Sequence, residues 1–441
     1  MAPQTGPTKK ETQPLAAFPR LFTWEEVRVH NGRGQGREQW LVINRKVYDV
    51  SEFSNRHPGG KRVIGHYAGQ DATDAFVAFH NDKDLVKKYL KPLQIGELAP
   101  DQPSSEANKK ESLLEDFREL RCDIEKKGLL KPDYTFFFLI FLHLLILDVS
   151  AWLVVWYFGI SSVPFFAGVA LFTIAQMSWF QHDLGHCSVF RKPKWNRLMQ
   201  MVVINVMKGL PACWWNHLHN QHHAKPNCFR KDPDLNMHPL LFSLGKTLSM
   251  ELGKKKKKFM PYNYQHRYFS SEYPPFLTGL WGPRPIMTTA SPPPPQDDAF
   301  QEVPMDVTAA LRKFHQRRNS CLCVYMPRYL ESTWFIWVSQ MNHIPMDIDY
   351  DKNEDWKTTF FLGNPNLPTL FQTFQLPSIQ SCSLFPTMPR HNYCKAAPLV
   401  KALCEKHGIE YKSKTLLTAF MDILNSLKDS GEHWLEAYLH G

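Results

Sequence analysis

Two histidine words carry the chemistry most easily read from this chain. His182-Asp-Leu-Gly-His186 spaces two imidazoles four residues apart, and His219-Asn-Gln-His-His223 follows about thirty residues on, with His217 just ahead of it. On a helix, residues three and four apart share a face, so each word can present more than one imidazole to a single metal ion. One such pair alone is more readily explained by core packing. Two words at this separation, directly after an apolar run, point to a metal centre. Imidazole suits iron, zinc and copper alike, so spacing leaves the metal open.

A third word, His57-Pro-Gly-Gly60, is followed by His80 after Ala75-Phe-Val-Ala-Phe79. Two imidazoles from short elements lining an apolar slot could serve the two faces of a haem. The paired glycines would let the backbone turn tightly beside such a ring. Taken singly, the word reads equally well as a surface loop histidine.

These residues need elements to hold them. Residues 1–20 are poor in apolar side chains and are expected to be disordered. Residues 21–98 show strand signals at Trp40–Ile43 and Lys46–Val50 between short helical stretches. A polar linker over 99–112 precedes an amphipathic stretch from Leu113 to about Leu130. The longest apolar run, 134–160, can cross a hydrocarbon core of about 30 Å, and 165–180 forms a second, shorter run. A polar turn at Ser161, Ser162 and Pro164 makes the two a helical hairpin, which returns the histidine words of 182–223 to the side occupied by residues 1–130.

The composition narrows the class further. The nine cysteines among 441 residues follow no framework spacing, which suits reduced thiols in a cytosol-facing protein. The first thirty residues have no apolar core of a signal peptide, so no cleavable signal is expected. The formal charge of +10 collects near apolar segments, as in Lys254–Lys258. That placement reads as a cytoplasmic membrane flank, and no motif supports nucleic-acid binding.

In order, Trp40-Leu-Val-Ile43, Val47-Tyr-Asp-Val50, Phe53, the HPGG word, Gly69-Gln-Asp-Ala-Thr-Asp74 and Phe79-His80 resemble the cytochrome b5 family. The resemblance implies a haem b group with His57 and His80 as axial ligands, and single-electron transfer. The later histidine words resemble those of membrane-bound di-iron desaturases. Lys192-Pro-Lys-Trp-Asn196, Trp214-Trp-Asn-His217, Gln221-His-His-Ala-Lys-Pro-Asn227 and Lys231-Asp-Pro-Asp234 resemble the vertebrate front-end desaturases. Phe229–Pro239 is most similar to the delta-5 branch. Similarity resumes at Arg328–Ser332, Gln340–Pro345 and Leu384–Tyr393 and runs to the C-terminus.

What this resemblance implies is an α+β cytochrome b5 domain over 21–98 followed, over 113–441, by a mainly α-helical integral-membrane desaturase domain. It implies iron ligation by His182, His186, His219, His222, His223 and His343, with no catalytic residue beyond the ligands. Electrons would come from NADH through a b5 reductase and the fused haem, and the substrate would be a polyunsaturated acyl-CoA. The implied location is the endoplasmic reticulum membrane, with other desaturases as further partners. A sphingolipid desaturase or hydroxylase also joins these parts, but the delta-5-like words disfavour it.

Two segments depart from the family pattern. Residues 270–325 are rich in proline and charge where the family has two more spans. Before Leu384-Phe-Pro, where the family carries Gln-x-x-His-His, this chain has Ile379, Cys382 and Ser383 at the three ligand-word positions. A dinuclear site lacking those imidazoles should hold its second iron weakly, which leaves a b5-type electron carrier as the alternative function.

Overall fold

The computed structural model describes residues 20–33, 37–80, 83–103, 111–159, 163–176, 179–208, 210–229, 231–236, 242–269, 344–345, 348, 366–368, 384–409, 411–414 and 416–441. His343, Ile379–Ser383 and the 270–325 segment lie outside these residues. The chain divides into two compact units. One is drawn from residues 1–53, 67–73 and 82–107, the other from 54–66, 74–81 and 108–441.

The first unit is built on a four-stranded sheet of β1 (Leu21–Phe22), β2 (Trp40–Ile43), β3 (Lys46–Asp49) and β4 (Gln94–Leu98), ordered β1-β4-β3-β2. β2 and β3 form a hairpin whose two turn residues, Asn44 and Arg45, both have positive φ (49° and 64°). Two such residues give the turn twist that two-residue hairpins require. β1 runs parallel to β4, closing the sheet with the first and last segments of the unit. Helix α1 (Trp24–Val29) starts with a capping box, in which Thr23 accepts from Glu26 N and the Glu26 carboxylate accepts from Thr23 N. Its Trp24 and Val27 pack with Phe22, Val42, Val47 and Leu98 in one apolar core. Arg45 donates to the carbonyls of Ala99 (2.7 Å) and Gln102 (3.0 Å), which fastens the segment after β4 to the hairpin.

The second unit contains α2 (Lys61–Gly65) and residues 74–79 of α3 (Thr73–Phe79), then a succession of longer helices. Helix α4 (Lys83–Leu90) falls in the first unit. Helix α5 (Glu111–Lys126) is amphipathic: Leu113, Phe117 and Ile124 face one side and are almost wholly buried. They pack against Leu384, Phe385, Met388, Tyr393, Ala396 and Val400, with Phe117 stacked on Phe385 at 5.4 Å. Asp116 on the other side accepts from Lys406 (2.8 Å) and His407 (2.6 Å).

Helix α6 (Tyr134–Phe158) begins at Asp133, whose carboxylate accepts from Thr135 N and Phe136 N, and ends at Gly159 with φ 71°. Its 25 residues correspond to about 37 Å at ~1.5 Å per residue, longer than a ~30 Å hydrocarbon core. Among the described residues it is the one helix long and apolar enough to cross a membrane. Phe137 and Leu144 pack on Phe180, Leu184, Val189 and Val203, while Phe138, Ile146, Trp152, Trp156 and their neighbours stay exposed. Helix α7 (Val163–Gln176) follows, with 14 residues against the 165–180 run expected from sequence. Residues 177–178 lie outside the described residues, and a separate helix, α8 (Phe180–Gly185), carries the start of the first histidine word. Next come α9 (Pro193–Gln200), a π-helical segment Met201–Met207, α10 (Ala212–Ala224) and α11 (Pro233–Asn236). Helices α12 (Lys246–Lys254), α13 (Tyr393–Lys406) and α14 (Leu416–His440) complete the unit.

Candidate metal and haem sites

α8 and the residue that caps it supply His182 and His186, on one face because His186 N donates to His182 O as in a helical turn (3.0 Å). α10 supplies His217, His219, His222 and His223. α8 and α10 approach closely because position 185 is glycine: a Cβ there would collide with the Trp215 ring. Reciprocal side-chain hydrogen bonds between Gln200 and Asn216 (3.0 and 2.9 Å) tie α9 to α10. Cys187 and Asn227, which follow the two words, both sit at φ 54° in the left-handed region. Asparagine tolerates that conformation, and cysteine adopts it less readily.

Four imidazoles converge. The ligand atoms of His182, His186, His219 and His223 all lie within 4.8 Å of one another. His219 is central, with its Nε2 2.9 Å from His186 Nε2 and 3.0 Å from His223 Nε2. Trp215 stacks on its ring at 4.2 Å. Burial, followed by repulsion from His186 and His223, holds His182 well below the usual histidine range, and burial takes His186 down to about 3. Both are therefore neutral at neutral pH, the form in which imidazole binds metal. Converging imidazole nitrogens at these separations suit one divalent ion with ~2 Å bonds, so the residues present fit a metal.

His222 is placed differently. Its Nδ1 is 2.9 Å from Asp232 Oδ2 and 3.7 Å from Asp234 Oδ2. Burial disfavours its charged form, but the two carboxylates outweigh that and raise it to about 9. His217 is exposed beside the Gly60 backbone and joins neither group.

Asp183, between the two ligands of the first word, forms a buried ion pair with Arg390: Nε at 2.6 Å and the second contact at 2.5 Å. Burial raises the Asp183 carboxyl to about 6 against the opposing pull of the guanidinium. Neither Arg390 nor Asp232 and Asp234 stood out from the histidine pattern. The only sequence signal for the two aspartates was the Lys231-Asp-Pro-Asp234 word following the second box, and Arg390 lies over two hundred residues from its partner. Removing Arg390 would leave a buried carboxylate uncompensated. Arg390→Ala is therefore expected to destabilise the helical unit by about 3–5 kcal/mol, read as a lower denaturation midpoint.

The HPGG word behaves as a preorganised ligand loop. Gly60 sits at φ 102°, and a Cβ on Gly59 would lie 2.8 Å from His57 Cε1. His57 and His80 face each other with ring centroids 6.2 Å apart. His80 Nδ1 donates to Phe76 O (2.8 Å) and His57 Nδ1 to Gly60 O (3.3 Å). Each ring thereby keeps Nε2 for a metal, the usual arrangement for a ligating histidine. A gap of 6.2 Å accommodates an ion with ~2 Å bonds to both rings, so the pair fits a haem iron. Burial, then the neighbouring His80, lowers His57 to about 4, and burial lowers His80. Within this same unit α2 packs on α10, and Arg118 on α5 pairs with Asp74 on α3 at 3.1 Å.

Comparison with known proteins matches two stretches of the chain. Residues 23–99 match the cytochrome b5-like heme/steroid binding domain, and residues 150–310 match the fatty acid desaturase family. Among solved structures the chain is similar to the cytochrome b5 of Ostreococcus tauri virus 2. That match has 37% identity over 18% of this chain and 94% of the other, with a TM-score of 0.16. The chain thus carries a cytochrome b5-like domain over 23–99, followed over 150–310 by a stretch that matches the fatty acid desaturase family.

Proposed function

We propose that this protein is a front-end, delta-5-like desaturase of polyunsaturated acyl-CoA, seated in the endoplasmic reticulum membrane with its haem and iron sites on the cytosolic side. The observation that carries the reading is the convergence of His182, His186, His219 and His223 next to an apolar helix whose outer face is exposed. So much apolar surface on one helix suits lipid rather than water. The inner face of α6 packs on α8 itself, so the helix that would anchor the protein also steadies the first pair of ligands.

Iron held by these imidazoles, with His222 and His343 completing the set, supplies activation of O₂ and hydrogen abstraction from an unactivated CH₂ group. The protein's own residues bind and orient. His57 and His80 hold a haem b for electrons arriving from NADH through a b5 reductase. Covalent fusion raises the effective concentration of that donor at the desaturase domain. Packing of α2 on α10 supports a short path between the two sites.

A second reading is favoured by Cys382 and Ser383, which stand where the family carries paired histidines. In it, the chain retains b5-type haem binding and electron transfer alone. Expression in a host lacking polyunsaturated desaturation, fed candidate fatty acids, separates the two. The desaturase reading expects a product with one new double bond on the carboxyl side of an existing one, and about two non-haem irons per haem. Full haem loading with neither product nor non-haem iron leaves the electron carrier.

A further inference from the structure

Asp232 is fully buried, and one of the groups that its carboxylate meets is a histidine ring. Its Oδ2 accepts from His222 Nδ1 (2.9 Å) and from Asn227 N (2.7 Å), and its Oδ1 accepts from Asp234 N (2.9 Å). Asn227 is held at φ 54°, and that turn brings the chain back so that Asp232 lies under the end of α10. An ionised carboxylate can only accept, so the proton of this contact sits on His222 Nδ1, and Nε2 is the atom left for a metal, which would displace the proton there.

We propose that Asp232 is the positioning residue of the metal centre: it fixes His222 with Nδ1 protonated, orients the ring, and commits Nε2 to the metal. This rests on the metal-site reading above. A carboxylate behind a ligating imidazole holds its tautomer and raises its basicity, and losing one typically costs 10–100-fold in metal affinity. Asp234, 3.7 Å from the same nitrogen, adds charge at the site without the direct hydrogen bond.

The test uses the full chain, haem-loaded and in lipid nanodiscs, titrated anaerobically with Fe(II) and assayed for bound metal. Asp232→Asn is expected to weaken Fe(II) binding about 10–100-fold, with the haem absorbance unchanged. In a His222→Ala background the same substitution should produce no further loss, because the carboxylate acts through that ring. Zn(II)-loaded protein with ¹⁵N-labelled histidine gives a readout that needs no variant: His222 should show a protonated Nδ1 and a metal-bound Nε2. Equal losses in both backgrounds, unchanged Fe(II) affinity in Asp232→Asn, or metal on Nδ1 would each overturn the proposal. Wild-type protein that takes up no metal overturns the metal-site reading and this proposal with it.

Discussion

His219→Ala is expected to empty the metal centre while leaving the haem in place. His219 Nε2 lies within 3.0 Å of both His186 Nε2 and His223 Nε2, at 2.9 and 3.0 Å, so its ring stands between the two other ligands. Losing a carboxylate behind a ligand already costs up to ~100-fold in metal affinity, and losing the ligand itself should exceed that. Non-haem iron should fall to background and any desaturated product should disappear. The haem band should persist, because His57 and His80 make their own hydrogen bonds to Gly60 O and Phe76 O and His219 is not part of that pair. Retention of full non-haem iron in His219→Ala would mean that the metal binds elsewhere.

The second large effect concerns the haem. His57→Ala or His80→Ala is expected to abolish six-coordinate, low-spin haem, read from the absorbance of the reduced protein. The two rings face each other at 6.2 Å with Nδ1 of each engaged by backbone, so removing either takes away one of the two facing Nε2 atoms. Gly59 should be sensitive too, since any side chain there would press on the His57 ring. Non-haem iron should survive both substitutions, but NADH-driven turnover should not, because electrons could no longer reach the desaturase domain through its own donor. Turnover at the wild-type rate in His80→Ala, with no added b5, would remove the fused domain from the electron path.

Local pattern was enough to locate much of this. Two imidazoles four apart, two glycines after His-Pro, and an apolar run of membrane-spanning length each state their geometry within a few residues, and α6, α8 and α10 formed where those patterns stood. The Asn44-Arg45 turn and the Thr23–Glu26 box are likewise short-range features. Where the second apolar run ends was less legible. Hydropathy continues through Phe180, but Phe180 itself opens α8, where it and Leu184 pack with Phe137 and Leu144.

By itself the sequence determined which residue types could bind haem and metal, and that an apolar helix would precede the histidine words. Only the tertiary structure decided how the histidines divide: four that meet one another, and His222 set against Asp232 and Asp234. It alone paired Asp183 with Arg390 across more than two hundred residues, and closed the gap between α8 and α10 through Gly185. The physical reason is range. Helical spacing fixes which side chains share a face, whereas the partner of a buried charge depends on which distant segment packs over it, and no local pattern records that.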